Sequence, residues 1–135
     1  MDAVPLGVAS GVEVPYVVEA AAAQLDALMT LPDAEILSPA VARTLLVLSM
    51  RQRVPLVGPA GSWAKAGALY ALDWDYEDLG RQCADVAQRL LSQRAAPSAA
   101  QAPRRARLVV NRRAAQHLKV HLSPDFLGSA VEVYE

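Results

Sequence analysis

Val54-Pro-Leu-Val-Gly-Pro-Ala-Gly-Ser-Trp-Ala-Lys-Ala-Gly-Ala-Leu-Tyr-Ala-Leu-Asp-Trp-Asp75 carries the pattern on which the fold turns. Val54 to Gly58 is a short apolar run closed by glycine and proline, as in a buried strand that ends in a turn. Ser62 can accept hydrogen bonds from the free N–H groups of a short helix through Leu69. Tyr70 to Trp74 is a second extended run, and Asp75 follows as the cap of another helix. A strand, a helix and a second strand in such quick succession make a βαβ unit, with both strands parallel.

Downstream, Tyr76, Leu79, Cys83, Val86, Leu90 and Leu91 recur at helical spacing, while Glu77, Asp78, Arg81, Asp85 and Arg89 fall mostly on the other side. This predicts an amphipathic packing helix. Ala95-Ala-Pro-Ser-Ala-Ala-Gln-Ala-Pro103 has little to bury and reads as an extended or mobile linker. Arg107 to Val110 then predicts a strand, Asn111 caps a helix through Leu118, and Ser123-Pro124 starts a last short helix or coil.

Upstream, Ser38-Pro39 is a strong helix start, because serine caps and proline at the first helical position has no N–H to leave unpaired. That helix is expected to reach Arg53. Leu25 to Leu31 reads as a short buried strand closed by Pro32 and Asp33, and Pro15 opens a helix over 16–24. The valine-rich run Val4 to Val14 predicts one strand or two short extended pieces bent at Gly7 and Gly11. Alternating strands and helices predict an α/β fold: a three-layer parallel sheet covered on both faces, flavodoxin-like or periplasmic-binding-protein-like in layout. The chain reads as one domain, with 1–94 as the lobe, 95–103 as linker, and 104–135 as a strand and helix returning to it.

Composition narrows the functions. The chain has 135 residues, room for one core, and a formal net charge of −1, which gives no global field for nucleic acid or anionic lipid. Cys83 is the only cysteine, so an intramolecular disulfide and a Cys-x-x-Cys pair are excluded. No apolar run is long enough to span a membrane, and Met1 to Leu6 contains Asp2 rather than the basic start of a secretion signal.

In open parallel sheets ligands collect beyond the carboxyl ends of the strands. Three loops qualify: Leu31 to Glu35 with Asp33 and Ala34; Gly58 to Trp63 with Pro59, Ala60, Gly61, Ser62 and Trp63; and Asp73, Trp74, Asp75 and Tyr76. They offer carboxylates for an amine, helix N–H groups for a carboxylate, and rings for an apolar body, a set suited to an amino-acid-like or aromatic solute. Each also has a plainer reading: Asp33 ends a strand, Ser62 and Asp75 cap helices, and tryptophan packs in cores.

His117 and His121 stand four apart without a nearby third ligand, so no metal site is expected, and no cofactor motif is present. Nothing resembles a nucleophile with its base, which argues against an enzyme. Arg104, Arg105, Arg107, Arg112 and Arg113 form a basic patch, but without interleaved aromatics it reads as a solvated rim rather than a nucleic-acid surface.

The chain resembles the ABC-transporter substrate-binding family that includes tryptophan- and tyrosine-type binding proteins. The resemblance rests on Asp26-Ala-Leu-Met-Thr-Leu-Pro-Asp33, the stretch Val54 to Leu69, Tyr76-Glu-Asp-Leu-Gly-Arg-Gln82 and Leu108-Val-Val-Asn111. It implies one lobe, the second, of a type I periplasmic binding protein, a two-lobed clamshell that holds a solute in its cleft and delivers it to a membrane permease. It further implies a periplasmic location, whereas the chain shows no signal peptide and a cytoplasmic location is the alternative. Against this stands a non-catalytic interaction or dimerisation module that keeps the fold without the ligand. Because the likeness begins one βα unit into the lobe, two inner sheet edges would be exposed or re-paired, and a homodimer, by segment exchange, or a rearranged strand order is expected.

Overall fold

The computed structural model describes residues 2–93 and 100–135; most of the expected linker, 94–99, lies outside the described residues. Five strands form one sheet in the order β1-β2-β3-β4-β5, where β1 is Leu28–Met29, β2 Leu56–Gly58, β3 Tyr70–Trp74, β4 Ala106–Asn111 and β5 Glu132–Tyr134. The strands β1, β2 and β3 run parallel, β4 runs antiparallel to β3, and β5 is parallel to β4. The sheet is therefore mixed rather than wholly parallel. The 18-residue helix between β3 and β4 leaves the sheet instead of crossing back over it, and the chain re-enters beside β3 in the opposite sense.

Local chemistry explains where the helices start. Ser38 Oγ accepts from Val41 N at 3.4 Å and opens α2 (Pro39–Gln52), which ends where Arg53 turns left-handed at φ 55°. Asp75 Oδ1 accepts from Asp78 N at 3.0 Å at the head of α4 (Tyr76–Gln93). Asn111 Oδ1 accepts from Ala114 N for α5 (Arg112–Leu118), and Ser123 Oγ from Phe126 N for α6 (Pro124–Gly128). The tail then forms β5 rather than ending as helix or coil, held on β4 by pairs such as Val110 with Val133.

Two other expectations are corrected. The described residues before Val14 form no strand; α1 (Val14–Ala21) starts instead at the end of the valine-rich run, with proline in its first turn and a short 3₁₀ turn, Ala22–Gln24, behind it. Val14 and Val18, one helical turn apart, are both buried against Leu45 and Leu48 of α2, so the valines mark a buried helix face. The strand expected over 25–31 shrinks to the two residues of β1 at the sheet edge, where Met29 and the following Leu31 are exposed.

The larger core cluster lies on one side of the sheet; on the other, Val110 is fully buried and Leu69 packs with Ala115 and Leu118 of α5 beside Tyr70. On the first side Leu56 is fully buried with Leu45 and Leu48, and further along the same face Ala71 and Val109 meet Ala64 of α3 (Gly61–Ala66). The opposite face is covered only in part. There Tyr70 meets the Phe126 ring edge-on, with centroids 5.6 Å apart, but Leu72 and Trp74 are 43% and 39% exposed.

Candidate functional site

Because β1, β2 and β3 are parallel, the loops after Met29, Gly58 and Trp74 leave the sheet at one edge. The second and third loops are joined. Asp73 Oδ2 accepts from Gly61 N at 3.0 Å, and Asp73 Oδ1 accepts from Trp74 N at 2.8 Å. The carboxylate from β3 thus supplies the acceptor at the start of α3, whose N-cap residue is Ala60. Ser62 does not cap the helix; it is exposed within the first turn, and α3 ends at Ala66 because Gly67 takes φ 128°, short of the expected Leu69.

Pro59, Ala60 and Gly61 are half-buried beside this junction. Trp63 sits over Gly58 and packs against the core cluster of Val14, Leu45 and Leu56, which makes it a wall of the lobe rather than an open platform. Trp74, in contrast, projects from the open sheet face. The first loop stands apart, because β1 lies two strand spacings from β3, about 10 Å. In it Asp33 Oδ1 accepts from Glu35 N and Ile36 N, both at 2.9 Å, and Asp33 and Ala34 are exposed.

A cationic element that the sequence reading left to a solvated rim belongs to the same edge. Since β4 is antiparallel, its first residues reach the end where β3 finishes, and Arg107 pairs in register with Asp73. Asp75 N donates to Arg105 O at 3.4 Å, which ties the third loop to the residues just before β4. The strand ends therefore bring Asp73 and Asp75 beside Arg105 and Arg107, with the loop of Asp33 standing apart. The signal that could have found Arg107 is the alternation Arg107, Val109, which puts both on one face of a strand, with Arg105 just ahead of it.

The hydrogen bond from Asp78 N–H holds the Asp75 carboxyl below its ordinary range, with further help from the positive charges of Arg105 and Arg107. A carboxyl lowered in the folded state contributes stability above its unfolded value and loses it as pH falls through the folded value. The first turn of α4 is expected to fray as the solution is acidified below the usual carboxylate range, and Asp75→Asn to remove that dependence, as read from the pH profile of the Asp78 amide resonance.

His117 lies on α5, but Lys119 turns left-handed after the helix, so His121 does not share its face. Among the described residues no three His, Cys, Asp or Glu side chains converge on one point.

An α/β lobe whose parallel strand tips gather polar and aromatic loops defines the periplasmic-binding-protein type of architecture. The chain belongs to the ABC transporter substrate binding protein family, whose model matches residues 1–134. Similar solved structures are a conserved domain protein from Vibrio cholerae O1 biovar El Tor (23% identity, TM-score 0.67), an ABC domain in complex with L-Trp from Streptococcus pneumoniae (22%, 0.67) and a ligand-free, open substrate binding protein with adhesive properties from Clostridium difficile (16%, 0.64). These alignments cover 93%, 95% and 95% of this chain but 42%, 44% and 42% of the respective neighbours, so the chain spans less than half of each. No curated protein matches the chain at a significant level. Among the described residues no helix is long and apolar enough to cross a membrane.

Proposed function

We propose that this chain is one lobe of a solute-binding component that takes a small amino-acid-like or aromatic zwitterion at the edge bearing Asp33, Ala34, Pro59 to Trp63, Asp73 and Trp74. The observation that carries the reading is the meeting of the second and third loops through the Asp73 to Gly61 hydrogen bond, with Arg107 in register across the strand. Asp33 would receive an ammonium group on Oδ2, Arg107 a carboxylate, and Trp74 an aromatic body that extends past the strand tips. The family supports handover to a permease and a periplasmic or extracellular setting, with binding rather than catalysis as the task.

A single lobe covers one side of a solute, whereas tight sites enclose most of the ligand, so millimolar affinity is expected unless a second surface closes over it. Because the pneumococcal neighbour holds L-Trp, L-tryptophan is the first probe, followed by L-tyrosine and the other amino acids. Ligand at ten times its Kd stabilises the folded lobe by about 1.4 kcal/mol, a rise in melting temperature that a thermal-shift assay resolves. Asp33→Ala and Trp74→Ala are expected to abolish the rise while leaving the apo melting point within a degree or two. Trp63→Ala is no test of binding, because its ring packs on the core.

The interaction-module reading also has an observation in its favour. Both Asp73 oxygens and one Asp33 oxygen are already taken by backbone N–H groups of the chain itself. A flat response across the whole amino-acid panel from a well-folded protein would discard solute binding in favour of that module.

A further inference from the structure

Among the charged side chains of the candidate edge, Asp73 is the one anchored through both oxygens to two different loops. It lies on the face of β3 that carries Ala71, the face covered by α3, with Arg107 opposite it on β4 and Val109 opposite Ala71. Its side chain is half-buried. Oδ2 accepts from Gly61 N in the second loop and Oδ1 from Trp74 N in the third, so the carboxylate cannot turn toward a solute without releasing one of them. Nothing else closes α3 at that end: its N-cap residue, Ala60, makes no side-chain cap, Ser62 is exposed, and the first turn holds no acidic residue.

We infer that Asp73 is the positioning residue of this edge: it takes no part of the solute itself, and by locking Gly61 to Trp74 it fixes the second loop relative to the groups that meet the solute. The inference rests on the solute-binding reading and assigns Asp73 a different task from Asp33. Asp33 is exposed, and both of its hydrogen bonds fall on Oδ1, which leaves Oδ2 without a partner among the described residues. Asp73 has no such oxygen, and bonds from backbone N–H groups to a carboxylate are among the stronger and more directional kinds.

Specificity follows from the same contact. Because Asp73 already satisfies the Gly61 N–H, the start of α3 is closed to the carboxylate of a solute. Arg107 is exposed and in register with Asp73, yet among the described residues it forms no ion pair with any carboxylate. The acid group of the solute therefore falls to Arg107. Gly61 is small for the complementary reason: a Cβ there would stand 3.3 Å from Asp73 Oδ2 and 3.3 Å from Val109 Cγ2. Gly61→Ala thus displaces the carboxylate while keeping its charge.

The test compares L-tryptophan with indolepropionate, which has the same ring system and a carboxylate but lacks the ammonium group. Both are titrated into the parent, Asp73→Asn, Gly61→Ala and the double variant, each at a temperature where circular dichroism shows it folded. Asparagine offers one acceptor oxygen where the carboxylate offers two, so Asp73→Asn must release one loop. Each single variant is expected to bind both probes on the order of tenfold more weakly than the parent, by the same factor for each probe, and the double variant to be no worse than either. Either single variant suffices should the other not fold. Without ligand, the Gly61 amide proton is expected far downfield in the parent and shifted upfield in Asp73→Asn. A loss confined to L-tryptophan means that Asp73 holds the ammonium group and overturns the inference. So does parent-like affinity for both probes in folded Asp73→Asn, since Asp73 would then serve stability alone, and so does a Gly61 resonance that Asp73→Asn leaves in place. Those three outcomes leave the solute-binding reading standing, whereas a parent that binds neither probe removes that reading and this inference with it.

Discussion

Gly58→Ala is expected to destabilise the lobe by about 3 kcal/mol and to lower its melting temperature by roughly 10 °C. A Cβ on Gly58 would stand 2.3 Å from Trp63 Cβ and 3.0 Å from Trp63 Cγ. The nearer atom is fixed by the backbone of α3, so no rotamer of Trp63 relieves the contact. The strand or the helix must move, and both are held: Gly58 pairs with Ala71 in the sheet, while Trp63 packs against the Val14 and Leu45 cluster. Gly80→Ala supplies the contrast. Its Cβ meets nothing within 4 Å on an exposed helix, so that change is expected to stabilise by about 0.5–1 kcal/mol through backbone entropy. Urea unfolding of the two variants should move the midpoint in opposite directions. A Gly58→Ala protein as stable as the parent would mean that the tip of β2 and the start of α3 are not so tightly apposed.

That apposition separates what the sequence discloses from what it conceals. The helices α2 and α4 and the strand β3 were legible because local signals agree there: Ser38 with Pro39, Asp75 as a cap, and an apolar run bounded by glycine and aspartate. The N-terminal valines misled because valine reports burial as much as extension, and a partner helix, α2, decided the outcome. Ser62 misled for a related reason. Asp73, twelve residues after Gly61, reaches the α3 N-terminus instead, a tertiary contact that no local rule contains.

The candidate edge was legible in the same proportion. Parallel pairing of β1, β2 and β3 is implied by short βα spacing, and with it the gathering of three loops. The direction of β4 is not, since a long helix and linker can return the chain in either sense. Arg107 therefore joins the edge only once β4 is known to be antiparallel. Half-cover of the sheet was equally hidden: alternation along β3 marks Tyr70, Leu72 and Trp74 as one apolar face, but α5 and the short α6 cover only its Tyr70 end. The exposed remainder, Leu72 and Trp74, is apolar surface that the described residues leave uncovered, in a chain less than half the length of its structural neighbours.

Asn111→Ala is expected to cost roughly 3 kcal/mol, more than a helix cap alone, because one side chain ties three elements. Asn111 Oδ1 accepts from Ala114 N at 2.7 Å and opens α5, while Nδ2 donates to Ala64 O at 2.7 Å and holds α3 over the sheet. Ala64 is fully buried, so its carbonyl gains no water when the amide is removed. Asn111→Asp separates the two roles. The carboxylate keeps the cap but turns a negative oxygen toward the Ala64 carbonyl, so at neutral pH this variant should be the less stable of the two. Protonation restores a donor there, which raises the folded-state pKa of the new carboxyl above its unfolded value. Its destabilisation is then largest at high pH and diminishes as pH falls through that raised value, the reverse of the Asp75 dependence. Urea midpoints of the parent, Asn111→Ala and Asn111→Asp at several pH values decide the matter. If the Asn111→Asp deficit were constant with pH, the contact with Ala64 would carry none of the stability assigned to it.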